Sequence, residues 1–291
     1  MPELPEVETV RLGLAPVLER HRLSRVETRR RDLRVPFPPN FAKRLEGRMV
    51  LRVWRRAKYL LADLDGGETL VVHLGMSGRM SVYAEGGERK LGQYVYEQAP
   101  AGAGLGKHDH VVIETDAPAR IVFTDHRRFG LMTIIDTAAL NADKLFRNIG
   151  IEPLSRRFTA IWLEAALKRK RTPIKSALLD QRIIAGLGNI YVCEALNRSH
   201  ISPKRLAARV TRAQTQLLVT AIKAVLNAAI KVGGSSLRDY AKVDGALGEF
   251  QHQFSVYDRE GGRCVTPGCK GTVKRIVQAG RSTFFCPTCQ R

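Results

Sequence analysis

The sequence predicts an α+β protein of two domains: an N-terminal antiparallel β-sandwich with flanking helices, then a helical domain that ends in a zinc-binding hairpin. Three observations predict it. Short β-branched runs separated by turn residues fill the first half, apolar residues at helical spacing take over from about Ala138, and four cysteines crowd into the last 28 residues.

The chain opens MPELPEVETV. Pro5 suits the first turn of a helix, where its missing N–H leaves nothing unpaired, and the carboxylates of that turn suit the positive end of the helix dipole. Val7, Val10, Leu14 and Leu18 then fall on one helical face. An amphipathic helix is the reading these ten residues favour by themselves. It leaves Pro2 unexplained. A small residue beside Met1 predicts removal of Met1, which exposes a secondary amine with a pKa of about 8 or a little lower. Such an amine can condense with a carbonyl-type carbon to a cationic iminium, and Glu3 is adjacent as an acid or base.

The runs VLRVWRRAKYLLADL, TLVVHLGMSGRMSVY and HVVIETDAPARIVFTDHRRFGLMTII read as antiparallel strands of a sandwich. GQYVYEQAPAGAGLG, from Gly92 to Gly106, has no periodicity and reads as a loop. RNIGIEPLS carries Gly150 and Pro153 and makes the best domain boundary. Beyond it AIWLEAALKRK, a segment from Ile174, NIYVCEALNRS and TRAQTQLLVTAIKAVLNAAIKV are helical, with Leu218, Ala221, Ile222, Val225, Ala229 and Ile230 as core. GGSSLRDYAKVDGALGEFQ is polar and glycine-bearing and reads as an exposed loop. The expected domains are 1–146, 147–253 and 254–291.

With 48 Lys and Arg against 28 Asp and Glu, the net charge is +20, which points to a polyanionic partner, nucleic acid first and an acidic membrane surface second. No apolar run of bilayer length and no basic-then-apolar leader is read, so a cytoplasmic protein with no membrane partner is expected. In a reducing compartment the cysteine cluster argues for metal rather than disulfides. Cys264 and Cys269, sixteen residues, then Cys286 and Cys289 can give one zinc four thiolates. Cys193 lies among apolar helical residues as a packed thiol.

Other residues pair a functional reading with a plain one. Arg281, at the tip of the cysteine hairpin, could reach a phosphate or be solvated. Gly186 to Tyr191, GLGNIY, could seat a phosphate on a helix N-terminus with Asn189 as a further donor, near the cations Lys168 to Arg171 and Lys175. In DHRRFG, Arg127 and Arg128 precede Phe129 in a turn, and LGMSG presents Met76 between glycines. Together they describe a surface that could wedge into a base stack. Lys58 stands between two cationic residues and an apolar strand, where the plain reading is a snorkelling surface lysine. His108 and His110, separated by a single residue, are expected on opposite faces of a strand, which disfavours a shared metal.

Taken in order, MPELPEVETV, RRAKYLL, HLGMSG, KHDHV, DHRRFG, GLGNIY and the four-cysteine tail resemble formamidopyrimidine-DNA glycosylase, a bacterial base-excision repair family, over the whole chain. The resemblance implies a β-sandwich joined to a helix-two-turn-helix domain and a zinc hairpin, acting as a monomer on damaged double-stranded DNA. Pro2 is then the nucleophile at the sugar C1′, Glu3 the acid, Glu6 a second carboxylate, and Lys58 and Arg281 serve the lyase steps or phosphate. Met76, Arg127 and Phe129 fill the hole left by a flipped purine, with Arg127 facing the orphaned cytosine. His108, Arg128, Arg171 and Asn189 bind phosphates, and a loop from Leu237 to Phe250 closes over the base. Two departures stand out: four residues separate the first cysteine pair where two is commoner, and the loop around 84–106 is longer than usual, with no function assigned. Two rival readings remain. A relative resembling endonuclease VIII would remove oxidised pyrimidines, but Leu4 and the complete trio favour the purine enzyme. A non-catalytic zinc-dependent DNA-binding protein explains the charge and cysteines but makes no demand on Pro2.

Overall fold

The computed structural model describes residues 2–84, 89–91, 94–96, 105–236 and 241–291. Met1 and residues 237–240, the start of the expected base-closing loop, lie outside them, as does much of the long loop. The chain forms two compact units, one running up to Arg147 and including Gly233–Glu249, the other formed by Asn148–Val232 with Phe250–Arg291.

The first unit begins with helix α1 (Leu4–Leu18), whose predicted face is the buried one: Val7, Val10, Leu14 and Leu18 all enter the core. Strand β1 (Leu23–Thr28) and the short helix α2 (Phe41–Leu45) follow, then β2 (Val50–Arg56), β3 (Tyr59–Leu64), β4 (Glu68–His73) and β5 (Arg79–Ala84). A small hairpin, β6 (Arg89–Leu91) with β7 (Tyr94–Tyr96), precedes β8 (Asp109–Thr115), β9 (Ala119–Thr124) and β10 (Leu131–Asp136). The β7 strand corrects the reading of 92–106 as loop throughout: Tyr-Val-Tyr is a β-forming triplet, too short to show a period.

Two four-stranded antiparallel sheets, ordered β1-β8-β9-β5 and β10-β4-β3-β2, enclose one apolar core. Alternate residues supply it, with Leu60, Ala62 and Leu64 of β3, Leu70 and Val72 of β4, and Ile121 and Phe123 of β9 pointing inward. The expected sandwich is therefore present. The segment Gly233–Glu249, read from sequence as an exposed loop of the domain 147–253, belongs instead to this unit. Val243 is buried in its core and accepts a hydrogen bond from the Val82 N–H at 2.9 Å.

The second unit is built from α3 (Ala160–Leu167), α4 (Ile174–Leu179), α5 (Asn189–Arg198) and α6 (Arg212–Lys231), followed by the hairpin β11 (Lys274–Gln278) and β12 (Arg281–Phe285). Thr211 caps α6 in a reciprocal capping box with Gln214. By length and composition α6 could cross a membrane, which corrects the reading that no such run exists. Its apolar face, Leu218, Ile222, Val225, Leu226 and Ala229, is buried inside this unit; Ile230, expected in the core, is only half-buried. An aromatic series from Tyr191 through Phe250, Phe254 and Tyr257 to Phe284, with ring centroids 5.0–5.8 Å apart, ties α5 to the cysteine tail. Glu194, fully buried on α5, accepts the backbone N–H groups of Ser255, Val256 and Tyr257 at 2.8–3.0 Å.

Candidate active site

The start of α1 is a dry, acidic corner. Pro2 is buried, and Glu3 and Glu6 are 5% and 2% exposed. Glu3 is the N-cap, in extended conformation, and its N–H donates to Glu6 Oε2 at 2.9 Å. Glu6 Oε1 accepts the Ser235 N–H at 2.8 Å, from far along the chain. Gly234 makes this approach possible: its φ is +80°, and a Cβ there would lie 2.9 Å from Glu6 Oε1. Glu6 thus fastens the first turn of α1 to the Gly233–Glu249 segment.

Lys58 occupies the β2–β3 turn and is 7% exposed, so the snorkelling reading fails. Its place is set by residues that sequence reasoning passed over. Glu8 of α1 accepts from Arg11 Nε at 2.8 Å and Arg55 Nε at 3.0 Å, and Arg55 Nη1 donates to the carbonyl of Ala57 at 2.7 Å. Ala57 itself has φ +53°. The ion pair therefore holds a strained turn just before the lysine. His73, at the end of β4, is pushed down to about 4 by burial first and then by the positive charges of Lys58 and Arg34. It is neutral at physiological pH, and Nδ1 accepts the Gly75 N–H at 2.9 Å, which leaves the proton on Nε2. A neutral donor beside a buried lysine suits an anionic ligand; His73 stood in the quoted HLGMSG without being singled out.

Met76 and Phe129 project from the β4–β5 and β9–β10 turns, 39% and 43% exposed, and the Arg127 guanidinium lies 4.8 Å from the Phe129 ring centroid. Arg128, at φ +56°, is exposed beside Asp32 at 3.9 Å. His108 is half-buried, whereas His110 is buried with Nε2 2.8 Å from the Asp125 carbonyl. Strand alternation is not the reason, since residues two apart share a face of a regular strand: His108 precedes β8, and the pairing of β8 with β9 shifts register between Asp109 and Val111.

The second unit presents its own cations. Arg171 is exposed between α3 and α4, and Gly188 caps α5, which starts at Asn189. The Asn189 side chain, expected as a phosphate donor, here donates through Nδ2 to the Ser282 carbonyl at 2.9 Å, and its buried Oδ1 has no hydrogen-bond partner among the described residues. Buried Lys175 joins it, donating to Ser282 O at 3.0 Å and Thr283 Oγ1 at 2.7 Å. Both groups fix the backbone next to Arg281. That arginine is exposed at the hairpin tip, after a two-residue turn of Ala279 and Gly280, both at positive φ.

The sulfur atoms of Cys264, Cys269, Cys286 and Cys289 lie within 4.8 Å of one another, which fits four ligands around one tetrahedral ion. Burial and the neighbouring Cys264 and Cys286 push Cys289 up to about 12. Burial acts the same way on Cys286, but the backbone N–H groups of Cys289 and Thr288 outweigh it and bring that thiol down to about 7. Four thiols this close ionise together only around a cation, and an all-sulfur donor set selects zinc, with no open position for chemistry. The longer first knuckle costs no ligand.

Three family models match the chain: the formamidopyrimidine-DNA glycosylase N-terminal domain over residues 1–132, the H2TH domain of the same enzymes over 149–241, and a zinc finger found in FPG and IleRS over 261–291. A formamidopyrimidine-DNA glycosylase of Phenylobacterium zucineum is 57% identical over 291 residues, covering all of both chains. Among solved structures, a Lactococcus lactis Fpg variant in complex with a Fapy-dG containing DNA matches with a TM-score of 0.85 at 31% identity, covering all of both chains. The MutM (Fpg) protein from Thermus thermophilus matches with a TM-score of 0.81 at 38% identity, over 99% of this chain and 98% of that one.

Proposed function

Because the chain belongs to the formamidopyrimidine-DNA glycosylase family, a family of bifunctional glycosylases and abasic-site lyases in base excision repair, we propose that it removes oxidised purines from duplex DNA through its N-terminal proline. The substrates are 8-oxoguanine and formamidopyrimidines. With Met1 removed, the Pro2 nitrogen attacks the sugar C1′, and the electron pair of the N-glycosyl bond leaves with the base, to which Glu3 supplies a proton. Loss of the amine proton and opening of the C1′–O4′ bond give an iminium. This cation acidifies C2′, so that a proton leaves C2′ as the C3′–O bond breaks, and a second elimination breaks the C5′–O bond.

The corner formed by Pro2, Glu3 and Glu6 carries the proposal. Glu6 has a structural use in fastening the Gly233–Glu249 segment, but a binding module makes no demand on Pro2, and two carboxylates buried beside it supply a low-dielectric acid and base for the two eliminations once Met1 is removed. Exposed Met76, Arg127 and Phe129 support a flipped-base substrate, and the charge of +20 supports duplex DNA as partner. Lys58, Arg128, Arg171 and Arg281 serve as phosphate or lyase-step cations in this reading, and His108 and Asn189 add phosphate contacts. The enzyme works as a monomer in the cytoplasm.

The test is a labelled duplex with one 8-oxoguanine opposite cytosine, incubated with and without borohydride and run on a denaturing gel. The expected result is a covalent protein–DNA band with borohydride and a strand cut on both sides of the lesion without it, both lost in Pro2→Ala. A zinc-loaded protein with Met1 removed that gives neither refutes the proposal. Activity on an oxidised pyrimidine alone would then select the endonuclease VIII-like reading, and retained DNA binding with no chemistry the binding module.

A further inference from the structure

We propose that Asp125 and Ser77 are positioning residues that lock the Met76 and Arg127–Phe129 turns into one preassembled wedge, formed before DNA arrives. The inference rests on the reading of those three side chains as the filler of the space left by a flipped base.

Asp125 is fully buried at the end of β9. Its Oδ1 accepts from Ser77 Oγ at 2.5 Å, in the turn that carries Met76, and its Oδ2 accepts the Gly130 N–H at 2.7 Å, just after Phe129. Ser77 Oγ in turn accepts the Arg127 N–H at 3.2 Å. One carboxylate and one hydroxyl thereby join both turns. The backbones also touch: a Cβ on Gly75, at φ +66°, would lie 2.3 Å from the Phe129 carbonyl carbon and 2.5 Å from the Gly130 nitrogen. The third anchor is His73, which accepts the Gly75 N–H.

Each turn crosses from one sheet to the other, β4 to β5 and β9 to β10, so the clasp also ties the two crossings of the sandwich together. Its reach goes further, because the side chains it flanks, Met76 and Phe129, contribute exposed surface to the unit. A buried carboxylate shared between the two turns makes that exposed surface rigid. Inserting side chains into a base stack has to offset unstacking, and loops that first had to order themselves would add their lost conformational entropy to each insertion. The clasp removes that second cost. Its effect is therefore greatest where a stacked base must be displaced, and smallest at an abasic site, whose sugar extrudes without unstacking a base.

Ser77→Ala, Asp125→Asn and Phe129→Ala would be compared with wild type in single-turnover cleavage of an 8-oxoguanine duplex and of the same duplex with an abasic site. Phe129→Ala should slow the 8-oxoguanine reaction much more than the abasic one, and Ser77→Ala should share that profile, with a loss of about tenfold in the ratio of the two rates. Asp125→Asn should exceed it; should that variant fail to fold, Ser77→Ala, which leaves only a small void, decides alone. A Ser77→Ala enzyme with the wild-type ratio, whether both rates are normal or both are reduced alike, overturns the clasp while Phe129→Ala upholds the wedge. An unselective Phe129→Ala overturns the wedge reading itself, and the clasp with it.

Discussion

Glu194→Gln separates the stability of the zinc-bearing unit from the chemistry of the other. The wild-type carboxylate accepts three backbone N–H groups: Oε1 takes those of Val256 at 3.0 Å and Tyr257 at 2.8 Å, and Oε2 takes that of Ser255 at 2.8 Å. Glutamine keeps one acceptor oxygen. With that oxygen left on Val256 and Tyr257, the new NH₂ group, on a fully buried side chain, faces the Ser255 N–H, donor against donor. An orphaned buried donor costs about 1–3 kcal/mol, and the two surviving bonds lose the charge assistance that makes such bonds roughly twice as strong. The expected loss is about 3 kcal/mol. Trp162 lies on α3 of this unit and Trp54 on β2 of the other, so denaturation followed by fluorescence in a Trp54→Phe background reports the right transition. The same variant should release zinc faster to a chromophoric chelator, because Val256 and Tyr257 begin the segment that carries the cysteines. A shift below about 0.5 kcal/mol with unchanged zinc release would refute the view that this carboxylate anchors the tail.

Cys286→Ser should leave three thiolates, lower zinc content after dialysis and weaken DNA affinity by unfolding the hairpin that presents Arg281; full zinc retention with unchanged affinity would count against the tail's role. Gly75→Ala places a Cβ at positive φ against the Phe129 backbone, so it should destabilise the first unit by more than about 2 kcal/mol in denaturation followed through Trp54. For His73, the folded value of about 4 lies below the unfolded value of about 6.5, so the unfolded chain binds the extra proton between them. Stability should accordingly rise as pH increases from about 4 to 6.5, by up to about 3 kcal/mol, and be flat above. His73→Gln should flatten that part of the curve, and an NMR titration that charges His73 near pH 6 would show the assignment to be wrong.

Features written in consecutive residues were legible in the sequence. The spacing of Val7, Val10, Leu14 and Leu18 marks the buried face of α1, and two close cysteine pairs mark a zinc site, because local geometry suffices for both. What was not legible shares a different cause. Gly233–Glu249 has the composition of a solvated loop, yet the positive φ of its glycines lets its backbone close on Glu6, a partner 229 positions away from Ser235. Asn189 reads as a phosphate donor, and nothing in its neighbourhood along the chain signals that one of its two amide hydrogens goes to the Ser282 carbonyl, 93 positions on. Arg55 reads as one cation among 48 Lys and Arg, although it bridges Glu8 to the turn that sets Lys58. In each case a side chain's partner is a backbone atom, which any residue can supply, so no residue type at the far end signals the contact. The residues proposed for the chemistry are thus easier to nominate from sequence than those that hold them in place. A reactive group requires a particular side chain, whereas a support requires only a correctly placed amide or carbonyl, and that placement exists only once the chain has folded.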